Sequence, residues 1–221
     1  QGLTGFGGAL VAIPLLSLVM DIKQAVPLAI VNGLVVTTTL VYALRHWLDW
    51  RKILPLLAGS VPGILLGTAF LKLADPVVIS RLLGGVLIAI SLLNLCCAPR
   101  PINPPRIWGF IAGFCSGAIN ATVGAGGPPA IIYATLHDWK KDEIRATLTG
   151  FFVLNGYATA MVHAGNGIIT GDTLRLFALT CGFVFLGTLA GARISHKIPR
   201  ATYLRIVYLL LASLGVMLLC R

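Results

Sequence analysis

The chain is 221 residues long, 57% hydrophobic and only 11% charged, with a formal charge of +10 and a mean hydropathy of +0.91. Soluble domains carry roughly 25% charged residues, so this chain has too little polar material to cover a water-facing surface, and lipid must cover it instead. A soluble helical bundle would need charged faces on its outer helices, and a nucleic-acid binder would need a basic stripe or an aromatic platform; the sequence offers neither, because its basic residues are scattered over short loops.

The chain begins in a glycine run, Gly5-Phe6-Gly7-Gly8, followed by an apolar arm over residues 8–20. Apolar stretches then cover residues 25–44, 53–73, 77–98, 106–136, 146–164, 173–192 and 202–220. Most are about 20 residues, the length that crosses a ~30 Å hydrocarbon core as helix. All seven acidic residues (Asp21, Asp49, Asp75, Asp138, Asp142, Glu143, Asp172) fall between these stretches or at their ends. Trp47, Trp50, Trp108 and Trp139 also sit at stretch ends, where an indole favours the headgroup region. The expected fold is an all-α polytopic membrane protein.

The stretch over 106–136 is about 46 Å long as helix at 1.5 Å per residue, too long for one straight crossing. It is interrupted by Gly124-Ala125-Gly126-Gly127-Pro128-Pro129. The prolines lack backbone donors and suit the first turn of a new helix, and the glycines permit unusual dihedrals. The arm after the break is about half a bilayer long, as is the arm after Gly8. Each glycine motif is therefore a helix broken near the midplane or the tip of a re-entrant hairpin.

The motif also repeats. Gly5-Phe6-Gly7-Gly8 returns 119 residues later as Gly124-Ala125-Gly126-Gly127, Leu66-Gly67-Thr68 returns 120 residues later as Leu186-Gly187-Thr188, and Asn32 and Asn155 hold similar places after each motif. This predicts a duplicated half of about four segments, residues 1–98 and 99–221 of a single membrane domain. By this register the first half lacks a counterpart of residues 105–119, so an N-terminal arm of some fifteen to twenty residues is expected ahead of Gln1.

Loop charge bears on the two readings of the motif. If both motif segments cross fully, one side collects ten Lys and Arg and the other seven. If both turn back, the second half is inverted. One side then collects twelve (Arg45, Arg51, Lys52, Arg100, Arg106, Lys140, Lys141, Arg145, Arg193, Lys197, Arg200, Arg205) together with all four Trp. The positive-inside rule prefers the second arrangement.

Inverted repeats with broken helices place substrate near the midplane, with half-helix N-termini aimed at anionic groups. The first-turn N–H groups lack internal partners and carry partial positive charge. No Asp or Glu lies within a stretch, so no cation site is evident, while Asn32, Asn120, Asn155, Ser116, Thr4 and Thr122 can donate to oxyanion oxygens. The competing reading is that Asn and Thr join helices by interhelical hydrogen bonds, which suits Thr68 and Thr188 better than ligand contact. The glycines could equally serve close helix packing. Cys96, Cys97, Cys115, Cys181 and Cys220 lie in apolar stretches without ligand spacing and read as small buried hydrophobes. The histidines (His46, His137, His163, His196) sit at stretch ends and form no metal pattern, so neither an enzyme, a metal site nor a cofactor is expected. Proton coupling leaves an ionisable residue within a span; His163 comes nearest, and its plainer reading is an interfacial histidine.

Gly-Phe-Gly-Gly followed by Ile13-Pro14, with a second Gly-Ala-Gly-Gly-Pro in a two-fold repeated membrane chain, resembles the TauE/SafE sulfite exporter family, also called the toluene sulfonate uptake permease family. The resemblance covers nearly the whole chain. It implies a multi-pass transporter of the bacterial plasma (inner) membrane that moves sulfite, sulfoacetate or related organosulfonates, with export as the expected direction, by alternating access around a midplane site. It carries the motif positions over as Gly5, Gly7, Gly8, Gly124, Gly126, Gly127 and Pro128, beside the polar candidates Asn32, Asn120 and Asn155. Ala9 stands where a third glycine is frequent. The expected partners are a small anionic substrate and the lipid bilayer, with a homodimer left open. A transporter or channel for another small anion or metabolite is the alternative.

Overall fold

The computed structural model describes residues 8–96, 102–195 and 200–219, and the regular structure among them is helical, with no strand. In chain order the helices are α1 (Gly8–Ser17), α2 (Ile22–Leu44), α3 (Trp50–Leu73), α4 (Pro76–Cys96), α5 (Arg106–Val123), α6 (Gly127–Thr135), α7 (Lys141–Gly165), α8 (Gly171–Ser195) and α9 (Arg200–Leu219). Every apolar stretch of the sequence becomes a helix, and the longest becomes two, α5 and α6. Among the described residues, Ile22–Tyr42 and Trp50–Leu73 combine the length and apolarity of a membrane crossing, and Pro76–Leu92 is a shorter apolar helix.

Local chemistry sets the helix ends. The Asp49 side chain accepts a hydrogen bond from the Arg51 N–H at 3.0 Å and so caps α3, satisfying one of the donors that a helix start leaves unpaired. Helix α5 stops where Gly124 adopts the left-handed conformation (φ 66°), its N–H bonded to the Asn120 carbonyl at 2.8 Å. That is the usual glycine stop of a helix, because other residues pay a steric cost there.

The most extensive packing joins α3 to α5, and it is built on glycine. Gly59, Gly63 and Gly67 lie four residues apart on α3, and a Cβ on each would run into the backbone carbonyl of Phe110, Phe114 and Ala118 in turn. From α5, a Cβ on Gly113 or Gly117 would strike the backbone of Leu56 or Ser60. The two helices therefore touch backbone to backbone, as small-xxx-small ridges allow where lipid supplies no hydrophobic drive between helices. The contacts advance in the same chain direction on both helices, so α3 and α5 are parallel. A similar close approach joins α4 to α9 at Gly84 and Gly215.

Helices α5 and α6 form a hairpin. The N–H groups of Ile102 and Asn103, just ahead of α5, both donate to the Leu136 carbonyl just after α6, and the Asp138 N–H donates to the Asn103 side chain at 3.0 Å. The chain thus enters along α5, turns at Gly124–Gly126, and returns along α6 to the end it started from. At that end Lys52 Nζ lies 2.7 Å from Glu143 Oε2 and 4.8 Å from the Trp139 ring centroid. Hydrogen bonding to Lys52 holds the Glu143 carboxyl below its ordinary range, so this pair persists at neutral pH and is lost only as pH falls through that lowered value. The start of α3, the end of α6 and the start of α7 therefore share one end of the molecule. The opposite end gathers the α1–α2, α3–α4 and α7–α8 turns, where Lys23 Nζ donates to the Lys72 carbonyl at 3.2 Å.

Candidate functional site

The hairpin tip is held by its own side chains. Ser116 Oγ donates a short hydrogen bond to the Gly126 carbonyl, and a Cβ on Gly126 would collide with Ser116 and Asn120. A Cβ on Gly124 would collide with Ile13 of α1. Both glycines are thus required for the turn to pack. Gly127 differs, because its nearest neighbours would be Ile131 Cδ1 at 3.5 Å and Phe152 Cζ at 3.8 Å, ordinary van der Waals distances.

A cavity of about 90 Å³ opens against this tip, lined by Ala9, Gly124, Ala125, Gly126, Gly127 and Asn120 on one side and by Gly33, Thr37, Phe152, Asn155 and Gly156 on the other. No charged side chain lines it. Helix α6 starts here, and of the four N–H groups its first turn would leave unpaired, two are missing because Pro128 and Pro129 have none. The donors that remain belong to Gly126 and Gly127, and no turn or capping hydrogen bond uses either. The partial positive charge of a helix start is thereby focused on two N–H groups at the cavity wall.

Asn155 of α7 supplies the side-chain polarity. It is 2% exposed, its Oδ1 has no hydrogen-bond partner, and none of the described bonds uses its Nδ2. A buried amide left unpaired costs about 1–3 kcal/mol, and which end of it faces the cavity is set by the ligand's needs, since the two orientations differ little in shape. Asn120 is committed differently. Its Nδ2 donates to Thr159 Oγ1 at 3.1 Å, and that hydroxyl donates to the Asn155 carbonyl at 2.7 Å. This ties α5 to α7 and positions Asn155.

The structure brings Asn120, Gly124, Gly126, Gly127 and Asn155 to one cavity, with Pro128 directly behind them on α6. Gly8 begins α1, and Gly5, Gly7 and Thr4 lie outside the described residues. Asn32 sits apart from Asn155. It faces α8, where its amide exchanges hydrogen bonds with Thr180 Oγ1 at 3.1 and 3.2 Å, and it lines an adjoining, more apolar cavity of about 510 Å³ between α1, α2 and α8. Thr122 donates to the Gly67 and Ala118 carbonyls and Ser116 to Gly126, so both hydroxyls hold helices together. Sequence reasoning missed Gly33, Gly156 and Thr159. The spacing of Asn155, Thr159 and His163, four residues apart on one face of α7, was the available signal for the last.

The sulfite exporter TauE/SafE family matches residues 1–218, and the chain belongs to it. A relative from Bacillus subtilis (strain 168), the "Probable membrane transporter protein YunE", is 27% identical over 252 residues, covering 98% of this chain and 91% of that protein. No solved structure matches. The chain is a helical membrane transporter.

Proposed function

We propose that this member of the sulfite exporter family moves small sulfur oxyanions, sulfite and short alkyl sulfonates, through the cavity at the α5–α6 tip. The observation that carries the reading is the lining: two unpaired backbone donors at a helix start and an unpaired buried amide, with no acidic side chain among them. A sulfonate or sulfite presents three oxygens that these donors can share, whereas an ammonium would meet positive potential and no carboxylate. A charge at the bilayer centre costs ~2.5–3.5 kcal/mol on translocon scales, and a helix end in a partly buried setting returns up to ~2 kcal/mol.

The reading includes an inverted two-repeat fold in the bacterial inner membrane, operating by alternating access in the export direction that the family's description carries. Support for the repeat comes from the order of elements among the described residues, one short helix followed by three long ones, α1 to α4 and again α6 to α9. Support for the inversion comes from the hairpin, which returns the chain to its starting end before α7. The basic end that results, with Arg51, Lys52, Arg106, Lys140 and Arg145, is then cytoplasmic.

The test is an uptake panel in proteoliposomes: sulfite, methanesulfonate, sulfoacetate and toluenesulfonate, beside size-matched amines. Saturable, temperature-sensitive uptake of the small sulfur anions is expected, with amines excluded. Equal uptake of amines would sink the anion site, and non-saturating flux would point to a channel.

A further inference from the structure

His163 is the buried ionisable side chain that the anion site leaves unexplained. It lies in the last turn of α7 and is fully buried (0% exposed). Its Nε2 is 3.1 Å from the Ala121 carbonyl of α5. A carbonyl can only accept, so Nε2 carries the hydrogen and Nδ1 is left with a bare lone pair. That Nδ1 is buried and has no partner.

Two features give this nitrogen a use. His163 continues the polar column of Asn155 and Thr159 on α7, which places it about 12 Å along the helix from the amide at the anion cavity. Beyond it, the α7–α8 turn opens on a cavity of about 350 Å³ lined by Lys23, Lys72, Asn166, Thr170 and Asp172, a water-accessible mouth at the end opposite Lys52 and Glu143. The charged groups at this end are Asp21 and Lys23 beside α2, Lys72 on α3, Asp75 and Arg81 at the start of α4, and Asp172 and Arg175 on α8. Asp21, Lys23, Lys72 and Asp172 are engaged elsewhere or face the mouth, and Arg175 pairs with Asp172 at 3.4 Å. From α5 the ring meets only the Ala121 carbonyl.

Resting on the anion-carrier reading, we infer that His163 carries the coupling proton, so that one proton moves with each monovalent anion; export then proceeds where the cytoplasmic anion excess outweighs an inward pH gradient. The Nδ1 lone pair takes a proton from water on one side and the ring becomes imidazolium, with Nε2–H still on Ala121. After the carrier reorients, Nδ1 returns the proton to water on the other side, and no other bond changes. The loaded carrier is then neutral overall, which avoids moving an unpaired charge through the bilayer.

Methanesulfonate is the probe, because it stays ionised at any usable pH and does not leak across lipid as a neutral acid. With the membrane potential clamped at zero, a gradient of one pH unit should drive about tenfold accumulation by the wild type, the ratio that one coupled proton sets. His163→Gln keeps an amide donor for Ala121. It should retain methanesulfonate exchange between equal concentrations but lose the pH-driven accumulation. Absence of accumulation in the wild type, or its persistence in His163→Gln, overturns the proton role while leaving the carrier intact. Absence of exchange in the wild type removes the anion-carrier reading and the proton role with it. Should His163→Gln fail to insert, His163→Asn is measured in its place with the same two outcomes, and absence of accumulation in the wild type overturns the proton role by itself.

Discussion

Gly127 and its neighbours look alike in sequence, but what surrounds each one separates their roles. A side chain on Gly124 or Gly126 meets Ile13 or the Ser116 backbone, whereas one on Gly127 meets only ordinary contacts. Gly127→Val should therefore insert and fold with stability near wild type, and should abolish methanesulfonate binding by covering the two N–H donors. Isothermal titration on purified protein checks this, and unchanged affinity would defeat the helix-start site. The two asparagines divide in the same way. Asn155→Leu removes no described side-chain hydrogen bond, so it should spare thermal stability while reducing transport by tenfold or more. Asn32→Leu breaks the pair with Thr180, a loss of about 0.6 kcal/mol on the scale of interhelical bonds in membranes, and should affect transport less. Paired melting curves and initial uptake rates distinguish the two. The reverse ranking would move the site to the α1–α2–α8 cavity.

Between elements, glycine decides which helices can touch. The α3–α5 contact leaves no space for a methyl group at Gly113, while Gly182 on α8 has nothing within 4 Å. The same substitution should therefore act in opposite directions. Gly113→Ala forces the ridges apart and should cost about 1–3 kcal/mol, whereas Gly182→Ala removes a flexible residue from a helix interior and should gain about 0.5–1 kcal/mol. Unfolding of the purified variants in denaturing detergent measures both. Equal effects would mean that α3 and α5 are not in backbone contact. The i, i+4, i+8 spacing of Gly59, Gly63 and Gly67 and of Gly109, Gly113 and Gly117 was legible in the sequence. Its pairing was not, because spacing alone does not say which two ridges meet.

For the molecule as a whole, the hairpin and the Lys52–Glu143 pair put the starts of α3 and α7 at one end. In a cysteine-free background, Arg51→Cys and Asp142→Cys should be protected together from an impermeant thiol reagent in whole cells. Asp75→Cys, at the other end, should label. Labelling of Arg51→Cys and Asp142→Cys from opposite sides would remove the inverted arrangement.

Hydropathy, helix length and the acid-free apolar stretches determined the class of fold from the sequence alone, because lipid imposes those constraints locally on every segment. The glycine-proline run also marked where a helix must break and where a ligand could approach backbone. Only the tertiary structure decided that the break is a hairpin, since the hydrogen bonds from Ile102 and Asn103 to Leu136 join residues over thirty positions apart. It likewise decided that Asn155 faces the tip while Asn32 faces α8, and that His163 is buried. Those outcomes depend on which helix face meets which neighbour, and a helix with apolar residues on all sides carries no local signal of that choice.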